Sequence, residues 1–270
     1  GTGPQPGCYR PTGSPEAPGG AGVQMCSFLV ANWLISNLTY ANFFLQPRGP
    51  DATNVWQGYR FVFVHNLLHM TGEKVLQPFH DPEAQIVALF NGELYNWRDL
   101  EDQGKPFRTD GDALIRAYQR WGVRFVQRLD GEFALALFDF ARGLAVIATD
   151  PFATKPLWFL RGDGGHLAVA SYRSALVRIG AAASEVEALG PNAAIVLSLA
   201  QGAMATEEVD GSDGYGPRPD ILARLTTFEF DLWQHKNHTR DWRAAFLAAV
   251  QKRTRGLNPV ALCFSDGYDS

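Results

Sequence analysis

The chain has 270 residues, 46% of them hydrophobic and 19% charged, with a net charge of −4; that is enough apolar material for one large domain or two with a buried core. Such mild acidity leaves no electrostatic footprint for nucleic acid, no apolar run approaches the roughly 20 residues that span a bilayer, and no basic-then-apolar start marks export. Three cysteines, Cys8, Cys26 and Cys263, are odd in number and far apart, which argues against a disulfide framework and for a reducing compartment, the cytoplasm.

Residues 1–25 are dominated by Gly and Pro with little to bury, and are expected to be a disordered leader in which Cys8 is incidental. At Met25-Cys26-Ser27-Phe28 the character changes to an apolar run headed by a cysteine. If the chain is cut before Cys26, that residue carries a nucleophilic thiol and an α-amine whose reference pKa of roughly 8 suits a base near neutral pH. On its own a lone cysteine is more often a small buried apolar residue.

Residues 38–45 suit a short helix, which Gln46-Pro47-Arg48-Gly49-Pro50-Asp51 then breaks, leaving Arg48 on a tightly restricted loop. Residues 59–68 and 85–90 read as strands. The second ends in Asn91-Gly92-Glu93-Leu94-Tyr95-Asn96. An Asn-Gly pair there is commonly just a turn, but it can also set a side-chain amide beside a backbone N–H, the arrangement that stabilises a developing oxyanion. Thr109-Asp110-Gly111-Asp112 opens a helix over 112–121, with Leu114, Ala117, Tyr118 and Trp121 on one face and Gly122 closing it. Asp110 is the simpler cap, which leaves Asp112 for another role or for the favourable end of the helix dipole.

Two hairpins are expected next, over 132–149 and 155–171, followed by a helix at 172–179 and a strand at 193–199. The strand Glu132–Phe138 is apolar on both faces, so it is covered from both sides. Several such strands with few helices predict stacked sheets flanked by helices rather than a doubly wound parallel fold. Residues 201–235 read as a linker rich in Gly, Asp and Glu. A helix over 241–253, a strand over 259–264 carrying Cys263, and the polar loop Ser265-Asp266-Gly267-Tyr268-Asp269-Ser270 then look like the opening of a nucleotide-binding α/β unit, 236–270.

Taken in order, these stretches resemble the class II (Ntn-type) glutamine amidotransferases, and among them the glutamine-hydrolysing asparagine synthetase family. Met25-Cys26-Ser27-Phe28 is similar to that family's Met-Cys-Gly-Ile, Arg48-Gly49-Pro50-Asp51 to its Arg-Gly-Pro-Asp, and Asn91 to Asn96 to its Asn-Gly-Glu-Ile-Tyr-Asn. Leu129-Asp130-Gly131-Glu132-Phe133-Ala134 and the block 150–157 resemble Leu-Asp-Gly-Met-Phe-Ala and Arg-Asp-x-x-Gly-x-Lys-Pro-Leu, and Ser265 to Ser270 resembles the pyrophosphate loop Ser-Gly-Gly-Leu-Asp-Ser.

The resemblance implies an α+β fold: an Ntn-hydrolase-type αββα sandwich of mostly antiparallel sheets over 26–200, then the truncated start of an α/β pyrophosphate-loop ATP-binding domain. It implies that Cys26 attacks the side-chain amide of glutamine, that Asn91 and Gly92 hold the oxyanion, and that Arg48 takes the α-carboxylate while Glu93 and Asp112 take the α-ammonium. Ser265, Gly267, Asp269 and Ser270 would contact ATP, with Mg2+, for amidation of a carboxylate, aspartate in most of the family. No metal is implied for the glutaminase part, and no nucleic-acid or membrane partner; a homodimer stays open. This chain departs from the pattern at Ser27 (family Gly), Thr149 (Arg), Ala153 (Gly), Tyr172 (Glu) and Asp266 (Gly). The alternatives are an amidotransferase for another acceptor, or a non-catalytic relative that keeps the fold as a regulatory module.

Overall fold

A computed structural model describes residues 25–70, 73–101, 106–199, 216–233 and 238–254. The expected ATP loop, with Ser265, Gly267, Asp269 and Ser270, lies outside the described residues, as do the strand expected at 259–264, the leader up to residue 24 and residues 201–215 and 234–235 of the expected linker.

Two six-stranded sheets, antiparallel throughout, make up the body. The first has the order β10 (Val186–Ala188), β8 (Trp158–Arg161), β9 (Leu167–Ala170), β1 (Ser27–Ala31), β3 (Phe61–Leu67), β2 (Ala52–Gly58). The second has the order β12 (Ile221–Leu225), β11 (Ala194–Ser198), β7 (Leu144–Thr149), β6 (Gly131–Asp139), β5 (Ile86–Leu94), β4 (Phe79–Asp81). Strand alternation sorts the side chains into layers. Phe28 and Val30 of β1, Phe61 and Phe63 of β3, Val87 and Leu89 of β5 and Phe138 of β6 meet between the sheets. The intervening residues of the first sheet, such as Leu29, Val62 and Val64, pack outward against α1 (Leu38–Phe43) and α3 (Arg173–Arg178). Those of the second, such as Ala88, Phe90 and Leu135, pack against α2 (Ala113–Trp121). The result is the helix–sheet–sheet–helix sandwich expected from strands with two buried faces.

Several elements differ from the sequence reading. The strand expected at 59–68 is β3, but its hairpin partner β2 is not among the expected elements, and the tight turn between them holds Tyr59 and Arg60 at positive φ; neither residue type advertises such a turn. The strand expected to stop at Phe90 runs on to Leu94, so Asn91-Gly92 is strand, not turn. Gly92 sits at φ 152°, and a Cβ on it would collide with the Glu132 carbonyl oxygen across the ladder, which is why only glycine fits. Residues 221–225, expected in a linker, form β12 at the edge of the second sheet. Asn192 fixes the segment that follows: its Oδ1 accepts from the Thr227 and Phe228 N–H groups.

The helix expected over 241–253 is α4 (Arg240–Thr254). It is held at its C-terminal end, where Lys252 pairs with Asp130 and Arg253 with Glu132 at 2.9 Å, the Arg253 guanidinium lying 4.8 Å from the Tyr95 ring centre. Trp242, Phe246, Leu247 and Val250 on this helix are exposed. Among the described residues no helix is long and apolar enough to cross a membrane.

Candidate active site

Cys26 immediately precedes β1, which is locked on three sides. Ser27 is fully buried: its hydroxyl donates to the Leu45 carbonyl at 2.9 Å and accepts from Asn66 Nδ2 at 3.1 Å. Asn66 in turn exchanges amide hydrogen bonds with Asn42 and accepts from Thr53 Oγ1. A serine where the family has glycine therefore costs no unpaired hydroxyl; it ties the strand to the end of α1. The Cys26 sulfur accepts the Leu68 N–H at 3.3 Å and its S–H faces the Leu68 carbonyl at 3.6 Å. Burial pushes the thiol pKa up, the Leu68 hydrogen bond opposes this, and the charges of Glu93 and Asp110 raise it further. The resting group is a thiol, so attack requires a base at that moment.

The sulfur opens into a small cleft of about 50 Å3 whose wall includes Gly92, Glu93, Asp110, Glu73 and His69. Gly92 and Glu93 arrive on the end of β5. Asp110 arrives on the 3-10 turn Asp110–Asp112, where it accepts from the Leu94 N–H at 2.8 Å and from the Thr109 hydroxyl and the Gly111 N–H at 2.9 Å. Burial raises the Asp110 pKa against these hydrogen bonds. A cationic ligand in the cleft would meet two carboxylates that already sit in a poorly hydrated wall.

Asn91 continues the β5 residues Val87 and Leu89 on the face turned to the other sheet. It is 1% exposed, and neither its Oδ1 nor its Nδ2 has a hydrogen-bond partner among the described residues. A buried carboxamide normally finds a hydrogen-bond partner, so this one, next to Gly92 in the chain, is available as a donor. His65 of β3 lies on the corresponding face of the first sheet, fully buried; desolvation drives its pKa down to about 3 against the pull of the Phe90 carbonyl. The imidazole is neutral at every physiological pH.

Two sequence-predicted residues are not brought to this cleft. Arg48 ends a 3-10 turn, Gln46–Arg48, and its guanidinium lies over the Tyr172 ring, 5.1 Å from the centre. It does not line the cleft, although the turn packs close by: a Cβ on Gly49 would collide with the Asn66 carbonyl. Asp112 turns the other way and pairs with Arg108 at 3.1 Å, beside a separate, larger depression. Of the two aspartates it is thus Asp110, expected as a cap, that lines the cleft, while Asp112 does not and its side chain makes no capping bond to α2. Gly111 decides it, because the turn presses that glycine against the Phe79 and Phe90 rings. That places its two neighbours on opposite sides, Asp110 toward the β5 backbone and Asp112 toward Arg108. Sequence reasoning also missed Glu73, His69 and Leu68; they follow β3 with no motif to announce them, and their place in the cleft depends on the pairing of β3 with β1.

With this geometry in view, the comparisons with known proteins are specific. The glutamine amidotransferase domain family matches residues 26–206, beginning on Cys26 itself. The asparagine synthetase [glutamine-hydrolyzing] of Gallus gallus is 30% identical over 246 residues, covering 83% of this chain and 42% of that protein. Asparagine synthetase [glutamine-hydrolyzing] 3 of Bacillus subtilis is 27% identical over 255 residues, 84% of this chain and 40% of its own. Asparagine synthetase B [glutamine-hydrolyzing] of Escherichia coli is 28% identical over 141 residues, 50% and 26%. The chain therefore spans less than half the length of each of these relatives. A cysteine at the head of the first strand of an antiparallel αββα sandwich, an Asn-Gly strand end behind it and a match across two thirds of the sequence place the chain in the class II glutamine amidotransferase domain family.

Proposed function

We propose that this domain, once the Met25–Cys26 peptide bond is cleaved, hydrolyses glutamine to glutamate and ammonia, and that the ammonia serves ATP-dependent amidation of a carboxylate. The observation that carries the first half is the convergence of the Cys26 thiol, Gly92, Glu93 and Asp110 on one cleft, with the unpartnered Asn91 amide adjoining Gly92 in the strand. The sulfur attacks the side-chain carbonyl, forming the S–C bond and a tetrahedral oxyanion whose collapse breaks the C–N bond. The thiol proton passes through the freed Cys26 α-amine to the departing nitrogen, which leaves as ammonia. Asn91 and the Gly92 N–H receive the oxyanion, a contribution worth roughly a hundredfold in rate per donor. Glu93 and Asp110 take the α-ammonium. Water then cleaves the thioester and releases glutamate.

The second half rests on the printed names of the relatives, which are glutamine-hydrolysing asparagine synthetases. Aspartate is accordingly the acceptor we propose, with ATP and Mg2+ held by the part of the protein that begins around Ser265, Gly267, Asp269 and Ser270.

The test is glutamate release from glutamine by protein whose first residue is Cys26, compared with the chain that retains Met25 and with Cys26→Ala. Activity only in the processed wild-type form supports the reading. A processed, folded protein that releases no glutamate, or equal activity in Cys26→Ala, overturns it in favour of a non-catalytic module.

A further inference from the structure

A chain end is poorly ordered unless something ties it down. Cleavage before Cys26 leaves the nucleophile hanging from the end of β1 by a single peptide bond, the one to Ser27, so whatever fixes Ser27 fixes the sulfur. Ser27, Asn66 and Thr53 stand opposite one another across β1, β3 and β2. By strand alternation they share the outer face of the sheet with Leu29 and Val64. None of them lines the cleft.

Asn66 is the centre of this row. Its Nδ2 donates to Ser27 Oγ at 3.1 Å and to Asn42 Oδ1 at 2.8 Å, while its Oδ1 accepts from Asn42 Nδ2 at 3.2 Å and from Thr53 Oγ1 at 2.8 Å. Both donors and both lone pairs of the carboxamide are used, which leaves it one orientation. Ser27 gives its own proton to the Leu45 carbonyl. On the other edge of β1 the buried Ser171 holds the next residue, its Oγ accepting the Phe28 N–H and its N–H donating to the Phe28 carbonyl, both at 3.0 Å.

The sulfur's partner belongs to the same assembly. Leu68, whose N–H the sulfur accepts, follows Asn66 by two residues. Asp51 binds on either side of it, donating its N–H to the Leu67 carbonyl at 3.0 Å and accepting the His69 N–H at 2.7 Å. The Ser27–Asn66 contact thus sets the separation between the strand that carries the sulfur and the backbone on which the sulfur rests. Glycine at position 27, as in the family pattern, would leave Asn66 Nδ2 and the Leu45 carbonyl without this partner.

We infer that Ser27, Asn66, Asn42 and Thr53 are positioning residues for Cys26, a hydrogen-bonded row across three strands that aims the sulfur into the cleft without touching substrate. This rests on the hydrolase reading above and adds to it the side chains that direct its nucleophile. A reacting atom misplaced by about 1 Å can cost roughly a hundredfold in rate. Because the row lies outside the cleft wall, its loss acts on kcat and leaves substrate binding alone.

The experiment measures glutamate release from glutamine by folded protein that begins at Cys26. Ser27→Ala, which removes the links to both Asn66 and Leu45, is expected to lower kcat roughly tenfold with KM within about twofold of wild type. Thr53 is exposed on the edge strand β2, and Thr53→Val keeps the branched shape that suits a strand, so this variant decides the matter should Ser27→Ala fail to fold. It loses only the hydrogen bond to Asn66 and is expected to lower kcat about threefold, again at constant KM, whereas Thr53→Ser, which keeps the hydroxyl, is expected to retain the wild-type kcat. A row that served stability alone would lower the denaturation midpoint and leave kcat per folded molecule unchanged. Wild-type kcat in folded Thr53→Val, an equal loss in Thr53→Ser, or a loss carried by KM overturns the positioning role while the hydrolase reading stands. No glutamate from the processed, folded wild type removes both.

Discussion

The Thr109-Asp110-Gly111-Asp112 stretch shows how much hangs on one side chain's direction. Both aspartates are acidic and adjacent to a helix start, and the family resemblance assigns the ligand role to Asp112, yet only Asp110 faces the sulfur's cleft. Asp110→Asn is expected to raise the KM for the side-chain amide substrate by about a hundredfold, the usual consequence of removing one partner of a buried charged contact. Asp112→Asn loses an Arg108 pair that is 57% exposed on the arginine side, and is expected to change KM by less than about twofold. Steady-state kinetics of the two variants side by side checks the assignment.

His65 gives a second residue-scale expectation. Its folded pKa of about 3 lies below the value of about 6.5 that an unfolded chain shows. Protonation therefore favours unfolding: stability is complete above the unfolded value and falls as pH drops from there toward 3. The slope is about 1.4 kcal/mol per pH unit, so between pH 7 and 5 the wild type should lose about 2 kcal/mol more than His65→Gln, which cannot titrate. Denaturant unfolding at the two pH values measures the difference.

Among the elements, β5 does the most to build the site, because one strand supplies the interior residues Val87 and Leu89, the orphaned Asn91, the glycine Gly92 and the acid Glu93. Its continuation past Phe90 was not legible in sequence. Asn-Gly is ordinarily a turn signal, and only pairing with β6, where Gly92 lies opposite Phe133, makes it extended chain. The hairpins of 131–149 and 158–170 were legible, since their apolar runs are broken by Asp-Phe-Ala-Arg-Gly and Gly-Asp-Gly-Gly.

The loop at 150–155 shows a departure from the family pattern with a structural cost. Asp150 organises it, accepting from the Phe133, Phe152 and Thr154 N–H groups. Ala153 is held at φ 50°, in the left-handed region where the resemblance places glycine. Ala153→Gly is expected to stabilise the protein by about 1 kcal/mol, since relief of the left-handed Cβ outweighs the added freedom of the unfolded chain. A rise in the denaturation midpoint without a change in m checks it.

At the scale of the whole molecule, α4 meets the sandwich through charge rather than through its apolar side. Glu132 is the hinge of that contact, accepting from Arg253 and from Lys155 at 3.5 Å. Burial raises its pKa, but the Arg253 hydrogen bond and the Lys155 charge outweigh this and leave it below the usual carboxylate range. The contact is present above the ordinary glutamate pKa and lost as pH falls through the lowered one. Each pair is partly exposed and contributes on the order of 1 kcal/mol or less. Glu132→Gln is expected to speed amide exchange across 240–254 several-fold while leaving that of β5 and β6 unchanged, as hydrogen-exchange mass spectrometry would read.

What the sequence determined by itself is the kind of molecule this is. Alternating and doubly apolar strands, glycine-marked turns and one helix with a clear face are local signals, set by backbone sterics and by which side chains must leave water. Motif order added the cysteine, the Asn-Gly corner and Glu93. Only the tertiary structure decided which charges share the cleft: Asp110 over Asp112, Glu73 in, Arg48 out. Those outcomes turn on β1 pairing with β3, on the Gly111 turn seated against two phenylalanine rings, and on a guanidinium finding an aromatic face across the fold. Each is a contact between residues distant in the chain, and spacing along a sequence carries no information about the direction in which a side chain points once two sheets have closed.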